Sequence, residues 1–440
     1  MQHSYEGLDR PGGLGHGNLL SPLRHRDFRV LWTGMAVSLI GDGIFFVAVA
    51  WESYSLWNDP AALSIVGIGM TVPTVVFLLV GGVVSDRCDR RLVMAWADAL
   101  RAAAVGVLAA LVFVGALRFW ELVTLVAVYG VGTAFFTPAF EAILPQLVPS
   151  VDLPPANSLD QFVRPIALRL AGPVVGGALV AVGAGLAFAV DAVSFAASLV
   201  AVLAIPRRQP LQPQTHASTA AALKDGLRFV RGRVWLWGTL SSAAIAYFLF
   251  LGPTEVLLPF VVKNDLHASA RTLGLVFAAG GLGAVAAATF MGQRGHPRRD
   301  VTVMYATWTV ATLAVAGYGI ATAAWQLMLA CLVFNALEAA GTIVWATIKQ
   351  RNVPGSMLGR VSSLDWLISI GLLPVSFALT APVAAALGVR TTLVGAAVLG
   401  AVVTLGAFFL PGMRAIEEAS DRVTDGGLMP SPNEAAATLR

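Results

Sequence analysis

The sequence predicts an all-α membrane protein whose twelve transmembrane helices form two pseudo-symmetric six-helix bundles. Three observations lead there: a low content of charge, a series of long apolar runs and an internal repeat. Only 12% of the 440 residues are charged and 57% are hydrophobic, whereas globular domains carry about 25% charged residues. The mean hydropathy is +0.75. So few charged side chains cannot cover a water-soluble fold of this length, and lipid is the expected solvent.

Runs of roughly 20 apolar residues, the length that crosses a bilayer, define the helices in order. The expected spans of the first bundle are 28–56, 61–84, 92–116, 120–141, 158–182 and 185–205. Those of the second bundle are 235–262, 271–293, 301–320, 325–348, 362–387 and 391–411. The apolar stretch at 301–337 is too long for one helix, and the region of Gly317, Gly319 and Thr322 divides it.

The basic residues predict the orientation, because Lys and Arg favour cytoplasmic loops. With the N-terminus inside, 22 of the 29 basic residues fall in cytoplasmic segments and 4 in outside loops. We therefore expect cytoplasmic tails at 1–27 and 412–440 and a cytoplasmic linker at 206–234, around bundles at 28–205 and 235–411. The basic pI of 9.3 then reflects anchoring to anionic lipid heads, and no nucleic-acid partner is expected.

The chain repeats itself at an offset of 205 residues. Val-Pro at 148–149 recurs at 353–354, and Ser-Leu-Asp at 158–160 recurs at 363–365 with the same gap between the two motifs. Both motifs lie at the cytoplasmic entry to the fifth helix of their half. The repeat predicts two six-helix halves in parallel orientation, a plan in which the substrate binds between halves that rock.

The loop between the second and third helices carries a recognisable motif. Residues 81–91 read GGVVSDRCDRR and resemble the G-x-x-x-D-R-x-G-R-R loop of the major facilitator superfamily. The matching positions are Gly82, Asp86, Arg87, Arg90 and Arg91. Asp89 stands where glycine is usual, as in drug:proton antiporters that include macrolide and siderophore exporters. The resemblance implies a major facilitator fold.

The chemistry of this loop suggests a gate between the halves. Gly82 allows close approach of the second helix, Asp86 complements a helix N-terminus, and Arg90 and Arg91 can pair with carboxylates. The alternative is a loop that only sets orientation. Two further pairs join the gating group: Asp98 with Arg101 on the third helix and Asp160 with Arg164 on the fifth, at spacings that place each pair on one helical face.

The fifth helix holds a second motif. Gly172, Pro173, Gly176 and Gly177 resemble the GPxxGG element of proton-coupled exporters, although Leu168 stands where the fuller motif has a glycine. Small residues let helices pack closely, and Pro173 removes a backbone donor. Ordinary small-residue packing is the alternative explanation.

Charges inside membrane helices cost about 2.5–3.5 kcal/mol each and so mark functional or partnered residues. Asp42 lies about 20 Å into the membrane at 1.5 Å per residue. No histidine lies in any predicted span, so a proton relay would use carboxylates. Asn335 and Glu338 lie deep in the tenth helix, whereas Glu52 and Glu255 lie nearer the outside. The candidates for proton coupling or substrate binding are Asp42, Glu338, Arg169, Glu52, Glu255, Asn335 and Asp191.

For two of these candidates the sequence allows more than one interaction partner. Arg169 could meet Asp42, Asp191 or an anionic substrate group, and Asp191 could be satisfied by Arg169 or by a helix N-terminus. Aromatic residues such as Phe45, Tyr247 and Phe250 suit an amphipathic aromatic substrate, or simply pack.

The function predicted from these patterns is export of a small hydrophobic or amphipathic molecule by proton antiport with alternating access. The expected partners are the small molecule, protons and membrane lipids, and the expected state is a monomer in the inner (cytoplasmic) membrane. Neither a cofactor nor a metal is expected, since the two cysteines form no CxxC pair and no P-loop is present. The alternatives are an uncoupled or importing facilitator and a lipid transporter or scramblase; an enzyme is not expected.

Overall fold

A computed structural model describes residues 20–206, 226–294 and 299–418, and the regular structure of these residues is helical. Twelve helices are long and apolar enough to cross a bilayer, which confirms the predicted all-α fold class. Most of the predicted tails and linker, at 1–27, 206–234 and 412–440, lies outside the described residues.

The first bundle contains six helices. They are α1 (Arg26–Leu56), α2 (Pro60–Arg87), α3 (Arg90–Phe113), α4 (Phe119–Leu147), α5 and α6 (Ala184–Leu203). The α5 span is composite: Leu153–Pro165 is α-helical, Ile166–Ala171 is a π-helical turn, and Gly172–Val182 is α-helical again. It begins before the predicted residue 158 because prolines are well tolerated in the first turn of a helix.

The second bundle has the same number of spans. They are α7 (Val234–Phe260, extended by a π-helical turn at Val261–Asp265), α8 (Ala270–Arg294), α9 (Asp300–Ala314 and Ala316–Ile320), α10 (Ala324–Asn352), α11 (Gly355–Gly371 and Leu373–Leu387) and α12 (Val389–Phe408). Both bounds of α10 lie 205 residues after those of α4, and both bounds of α12 lie 205 residues after those of α6. The internal repeat of the sequence is therefore a repeat of structure.

Side chains fix the starts of two helices in the first bundle. The Asp59 carboxylate accepts a hydrogen bond from the Ala61 N–H at 2.8 Å and starts α2. Asp89 accepts from the Arg91 N–H at 3.0 Å and starts α3. Aspartate is a favoured N-cap because its carboxylate satisfies an otherwise unpaired N–H group. This contact gives Asp89, the departure from the usual glycine of the loop motif, a structural role.

The two bundles contact each other at one end of the molecule, which we call the seam end. There the Tyr54 hydroxyl of α1 donates to the Val256 carbonyl of α7 at 2.5 Å. The Lys263 ammonium donates to the Ser55 hydroxyl at 2.9 Å. One apolar cluster, which includes Phe45 from the first bundle and residues of the second, runs through both bundles.

The opposite end, near Arg90 and Arg299, is called the Arg-rich end. Among the described residues, the apolar cores there are separate. One cluster around Met94 belongs to the first bundle, and another around Tyr305 belongs to the second. The bundles are thus joined at the seam end and have independent cores at the Arg-rich end.

The glycines of α5 allow the close packing that the sequence predicted. A Cβ atom on Gly176 would lie 2.9 Å from the Ile44 Cα of α1. A Cβ atom on Gly177 would lie 2.8 Å from the Ala270 carbonyl oxygen and 3.1 Å from the Gly274 Cα of α8. A real Cβ atom does not make contacts this close. α5 can therefore approach α1 of its own bundle and α8 of the second bundle only because these positions carry no side chain.

We expect Gly177→Val to open the seam end, because the added side chain would separate α5 from α8. If the halves rock as rigid bodies, opening the seam end brings the Arg-rich ends together. The distance between spin labels on α3 and α9 at that end, measured by pulsed electron paramagnetic resonance, should then be shorter than in the unmodified protein. Gly395→Val is the matched control, since a Cβ there meets nothing within 4 Å. Equal distance distributions for the two variants would contradict the expectation.

Candidate functional site

A carboxyl group lies at the centre of the first bundle. Asp42 of α1 is 8% exposed and accepts a hydrogen bond from the Tyr129 hydroxyl of α4 at 2.5 Å. The Tyr129 ring stacks on Phe45 with 4.3 Å between ring centroids. Phe45 lies three residues after Asp42 and therefore shares its helical face. The stacked rings aim the hydroxyl at the carboxylate.

A second carboxyl group lies beside the first. Asp191 of α6 is fully buried and accepts a hydrogen bond from the Ser194 hydroxyl at 3.1 Å. A Cβ atom on Gly41 would collide with the side chains of Asp191 and Ser194, which places both next to Asp42. Asp191 Oδ2 has no hydrogen-bond partner among the described residues. The predicted partners of Asp191, Arg169 or a helix N-terminus, are therefore wrong.

The third carboxyl group is bound to the only cation that lies within this cluster in the described part of the chain. Asp98 and Arg101 of α3 form a buried ion pair, as the sequence predicted. The Ser198 hydroxyl donates to the other Asp98 oxygen at 2.7 Å. The Arg101 guanidinium lies between two rings, 4.5 Å from the Phe136 centroid and 4.3 Å from that of Phe195. The assignment of Asp98 and Arg101 to the gating loop is wrong, because both lie inside the bundle.

We call Asp42, Asp98, Asp191, Arg101 and Tyr129 the acid cluster. Arg101 is close enough to Asp42 for the two charges to interact. One guanidinium can balance one carboxylate, and an unbalanced buried charge is costly. The other two carboxyl groups are therefore positions at which protons can be held and released.

Arg169 joins the two bundles instead of meeting an acid. It lies in the π-helical turn of α5 and donates to the side-chain oxygen of Asn335 on α10. Asn335 in turn donates to the Cys331 carbonyl at 2.9 Å. The predicted contact of Arg169 with Asp42 or Asp191 is wrong. π-Helical turns often mark functional positions, and this one presents an exposed guanidinium between the bundles.

Two predicted acids lie on the other helices of the interface. Glu255 of α7 is exposed and close enough to Arg169 for the two charges to act on each other. Glu52 of α1 is half-buried and is close enough to Lys263 for their two charges to interact. The Lys263 ammonium also lies 5.0 Å from the Trp51 ring centroid. Glu52 therefore belongs to the seam end.

Glu338 lies in a cleft within the second bundle. It is half-buried and accepts a hydrogen bond from the Thr342 hydroxyl at 3.1 Å. The cleft is lined by Glu338, Tyr247, Phe250 and Phe334, with further residues of α9 and α12. Glu338 thus lines a cleft of the second bundle, and its role in proton coupling or substrate binding stays a prediction.

The loop between α2 and α3 differs from its expected contacts. A Cβ atom on Gly82 would meet nothing within 4 Å, so close packing through Gly82 is wrong. The close approach is made by Gly81, where a Cβ atom would lie 3.2 Å from the Phe135 Cα of α4 and closer still to the Ala134 carbonyl. Neighbouring residues of an α-helix point about 100° apart around its axis, so Gly81 and Gly82 face different sides of α2. The side chains of Asp86 and Arg87 lie outside the described part of the structure.

The arginines of the loop bind main-chain carbonyls. Arg90 donates to the Ala142 carbonyl of α4 at 2.9 Å. Arg91 donates to the Val202 carbonyl of α6 at 3.1 Å and also to that of Leu203. Among the described side chains neither arginine pairs with a carboxylate, so the expected pairing is not seen there. The carbonyls at a helix C-terminus lack helical partners, and Arg91 satisfies two of them.

Further polar contacts lie toward the Arg-rich end. Arg164 pairs with Asp160 at 2.8 Å, as predicted. Asp152 accepts from the Ser21 hydroxyl at 2.7 Å and contacts His25 Nε2 at 2.7 Å. The hydrogen bonds from His25 and Ser21 hold the pKa of Asp152 below its ordinary value. A lowered folded-state pKa stabilises the protein above the unfolded pKa of about 3.9, and this contribution is lost as the pH falls through the folded value.

With this geometry established, comparison with known proteins assigns the family. The family described as "Transmembrane secretion effector", of the major facilitator type, matches residues 18–435. The chain belongs to this family. It is 24% identical to macrolide efflux protein A of Streptococcus pyogenes over 82% of this chain and 90% of the relative. It is 28% identical to the enterobactin exporter EntS of Escherichia coli O1:K1 over 77% and 81%.

Solved structures show the same fold. A bacterial homologue of the iron transporter ferroportin in an inward-facing state superposes with a TM-score of 0.66 at 18% identity, over 87% of this chain and 98% of that one. The nucleoside transporter NupG superposes with a TM-score of 0.63 at 13% identity, over 87% and 98%. The family resemblance predicted from the loop and helix motifs is confirmed, and the chain has the fold of a major facilitator transporter.

Sequence reasoning missed the uncharged members of the site. Tyr129, Ser194 and Ser198 donate to the buried carboxylates, and none was selected. Polar residues within otherwise apolar spans were the available signal. Tyr129 and Asp191 lie in different helices from Asp42, so local spacing could not join them.

We expect Arg101→Gln to lower the free energy of unfolding by about 3–5 kcal/mol, because it leaves a buried carboxylate without its cation. Asp98→Asn combined with Arg101→Gln should recover part of that loss. Chemical denaturation of the purified protein in detergent measures both. Arg118→Gln removes an exposed guanidinium and serves as the control. A loss below about 1 kcal/mol for the single variant, a value typical of exposed pairs, would contradict the account.

Proposed function

We propose that the protein exports a small hydrophobic or amphipathic molecule, such as a drug, antibiotic or secondary metabolite, by proton antiport with alternating access. It acts in the inner membrane with the Arg-rich end in the cytoplasm. The named activities of its relatives, macrolide efflux and enterobactin export, support the direction and the substrate class. The placement of 22 of 29 basic residues supports the orientation.

The observation that carries proton coupling is the charge balance of the acid cluster. Three carboxyl groups, those of Asp42, Asp98 and Asp191, surround the single guanidinium of Arg101, and all four side chains are at most 8% exposed. Such burial makes the second and third charges costly. Protons that enter from one side and leave to the other are the means by which this cluster changes its charge.

The cluster is connected to the moving surfaces through α1. Gly43, next to Asp42, packs against Gly172 of α5, where a Cβ on Gly43 would lie 2.8 Å from the Gly172 Cα. At the seam end of the same helix, Tyr54 is bonded to α7. A change in the Asp42–Tyr129 bond can therefore shift α1 against both α5 and α7. This is the route by which we relate protonation to the rocking of the bundles.

Arginine, asparagine and glutamate side chains provide the polar surface between the bundles. Arg169 and Asn335 meet there, and Glu255 lies within electrostatic reach of Arg169. These groups lie in a region distinct from the acid cluster, since Arg169 contacts Asn335 of the second bundle and not Asp42. Protons and substrate thus have separate places, and coupling acts through the conformation.

Asp42→Asn should abolish proton-coupled efflux and leave expression intact, because the amide keeps the size of the carboxyl group but cannot exchange a proton. A drug-sensitivity panel in an efflux-deficient host, starting with a macrolide, identifies an exported compound. Efflux of that compound from vesicles under an imposed pH gradient then measures the coupling.

The control for this variant is Glu418→Gln, which removes one exposed carboxylate at the end of the described chain. Full pH-driven efflux by Asp42→Asn would overturn the assignment of Asp42. Uptake in place of efflux would favour an importer, and movement of labelled lipid without a gradient would favour a scramblase.

A further inference from the structure

The cleft in the second bundle occupies the place that the acid cluster occupies in the first. At the repeat offset of 205 residues, Tyr247 corresponds to Asp42, Phe250 to Phe45, and Phe334 to Tyr129. The stacked pair Phe45–Tyr129 has its counterpart in Phe250–Phe334, with 5.8 Å between ring centroids and an interplanar angle of 81°. The two bundles thus share an aromatic pair and differ in what surrounds it.

Two side chains of α6 have smaller counterparts in α12. Ala396 stands at the position equivalent to Asp191, and Gly400 stands at the position equivalent to Phe195. A Cβ on Gly400 would lie 2.8 Å from Thr312 Cγ2 and 3.4 Å from Phe250 Cδ1, two residues that line the cleft. Thr312 and Phe250 of the cleft lining therefore pack directly against α12 at Gly400, where the first bundle has the ring of Phe195.

The lining of the cleft has one charge and many rings. Tyr247, Phe250, Trp308 and Phe334 supply the aromatic surfaces, and Glu338 supplies the single ionisable carboxylate of the lining. Glu338 stands at the position equivalent to Thr133. Aromatic faces attract cations within about 6 Å, and pockets of apolar surface with few polar groups are the usual form of small-molecule sites.

We propose that this cleft binds the positively charged group of an amphipathic organic cation, with Glu338 as its counter-ion and the aromatic rings around its apolar part. The proposal rests on the proposed export function and assigns the cargo a chemical class and a site in the second bundle. The first bundle holds the equivalent position with its own buried acids.

One cation of the protein lies near the cleft. Arg169 is bonded to Asn335, which precedes Glu338 by three residues on α10, and it acts through space on Tyr247. It belongs to the first bundle, so its distance from Glu338 changes as the bundles move. Its charge opposes a bound cation. Neutralising Arg169 should therefore strengthen cation binding, whereas neutralising Glu338 should weaken it.

The test uses tetraphenylphosphonium and tetraphenylborate, which have nearly the same shape and opposite charge. Equilibrium binding of each labelled ion is measured on the purified full chain in lipid nanodiscs at constant pH. The unmodified protein should bind the phosphonium in preference to the borate. Glu338→Gln should weaken phosphonium binding by about tenfold or more, as expected for loss of a charged partner. Glu418→Gln, with the same change of net charge, should bind it as the unmodified protein does.

Further variants separate the outcomes. Arg169→Gln should bind the phosphonium more tightly than the unmodified protein does. Binding of neutral triphenylphosphine oxide and an unchanged unfolding temperature establish that Glu338→Gln is folded. Equal phosphonium affinity for Glu338→Gln and the unmodified protein would overturn the proposal. The proposal would also be overturned if the unmodified protein bound the borate more tightly than the phosphonium and Arg169→Gln no longer bound the borate.

The same assay distinguishes this proposal from the proposed antiport. Binding at constant pH needs no proton gradient, and Asp42→Asn should retain phosphonium binding. If the unmodified protein binds the phosphonium but shows no pH-driven efflux, proton antiport is contradicted and the binding site is not. If efflux occurs but binding does not depend on Glu338, the binding site is contradicted and proton antiport is not.

Discussion

The burial of charge away from water is the constraint on which the first bundle depends. The guanidinium of Arg101 is a buried cation, so its place inside the bundle requires a carboxylate, and Asp98 supplies it. Phe136 and Phe195 cover the guanidinium on its two faces. Ser198 satisfies the remaining Asp98 oxygen and links α3 to α6. The arrangement of α3, α4 and α6 follows from completing the surroundings of one cation.

The same constraint explains why the two halves differ despite their repeat. In the first bundle, the carboxylates, the guanidinium and their aromatic cover fill the centre. The second bundle keeps the aromatic pair at the equivalent positions but has alanine and glycine where the first has Asp191 and Phe195. We propose that the filled, charged centre holds protons and that the aromatic cleft binds a ligand. In this proposal the two halves of one repeat perform different chemical tasks.

Much of this could be predicted from local patterns, and the rest depended on contacts between distant helices. The pairs Asp98–Arg101 and Asp160–Arg164 were predictable because helical spacing alone brings them together. The prediction of close packing at Gly82 was wrong by one residue, because the motif does not show which face of α2 meets α4. Gly81 makes that contact. Arg91 was expected to find a carboxylate but binds carbonyls at the end of α6, because the packing of α3 against α6 brings its side chain there.

The sequence by itself determined the twelve spans, the repeat, the family and the depth of Asp42, because hydropathy, spacing and motifs are properties of neighbouring residues. Only the tertiary structure decided which buried groups meet. Tyr129 reaches Asp42 across 87 residues of chain, and Arg169 reaches Asn335 across 166. Such pairs arise from the packing of helix faces, in which the π-helical turn of α5 and the glycines at its contacts set the geometry. No local pattern carries that information, since each partner is equally compatible with several others until the bundles are assembled.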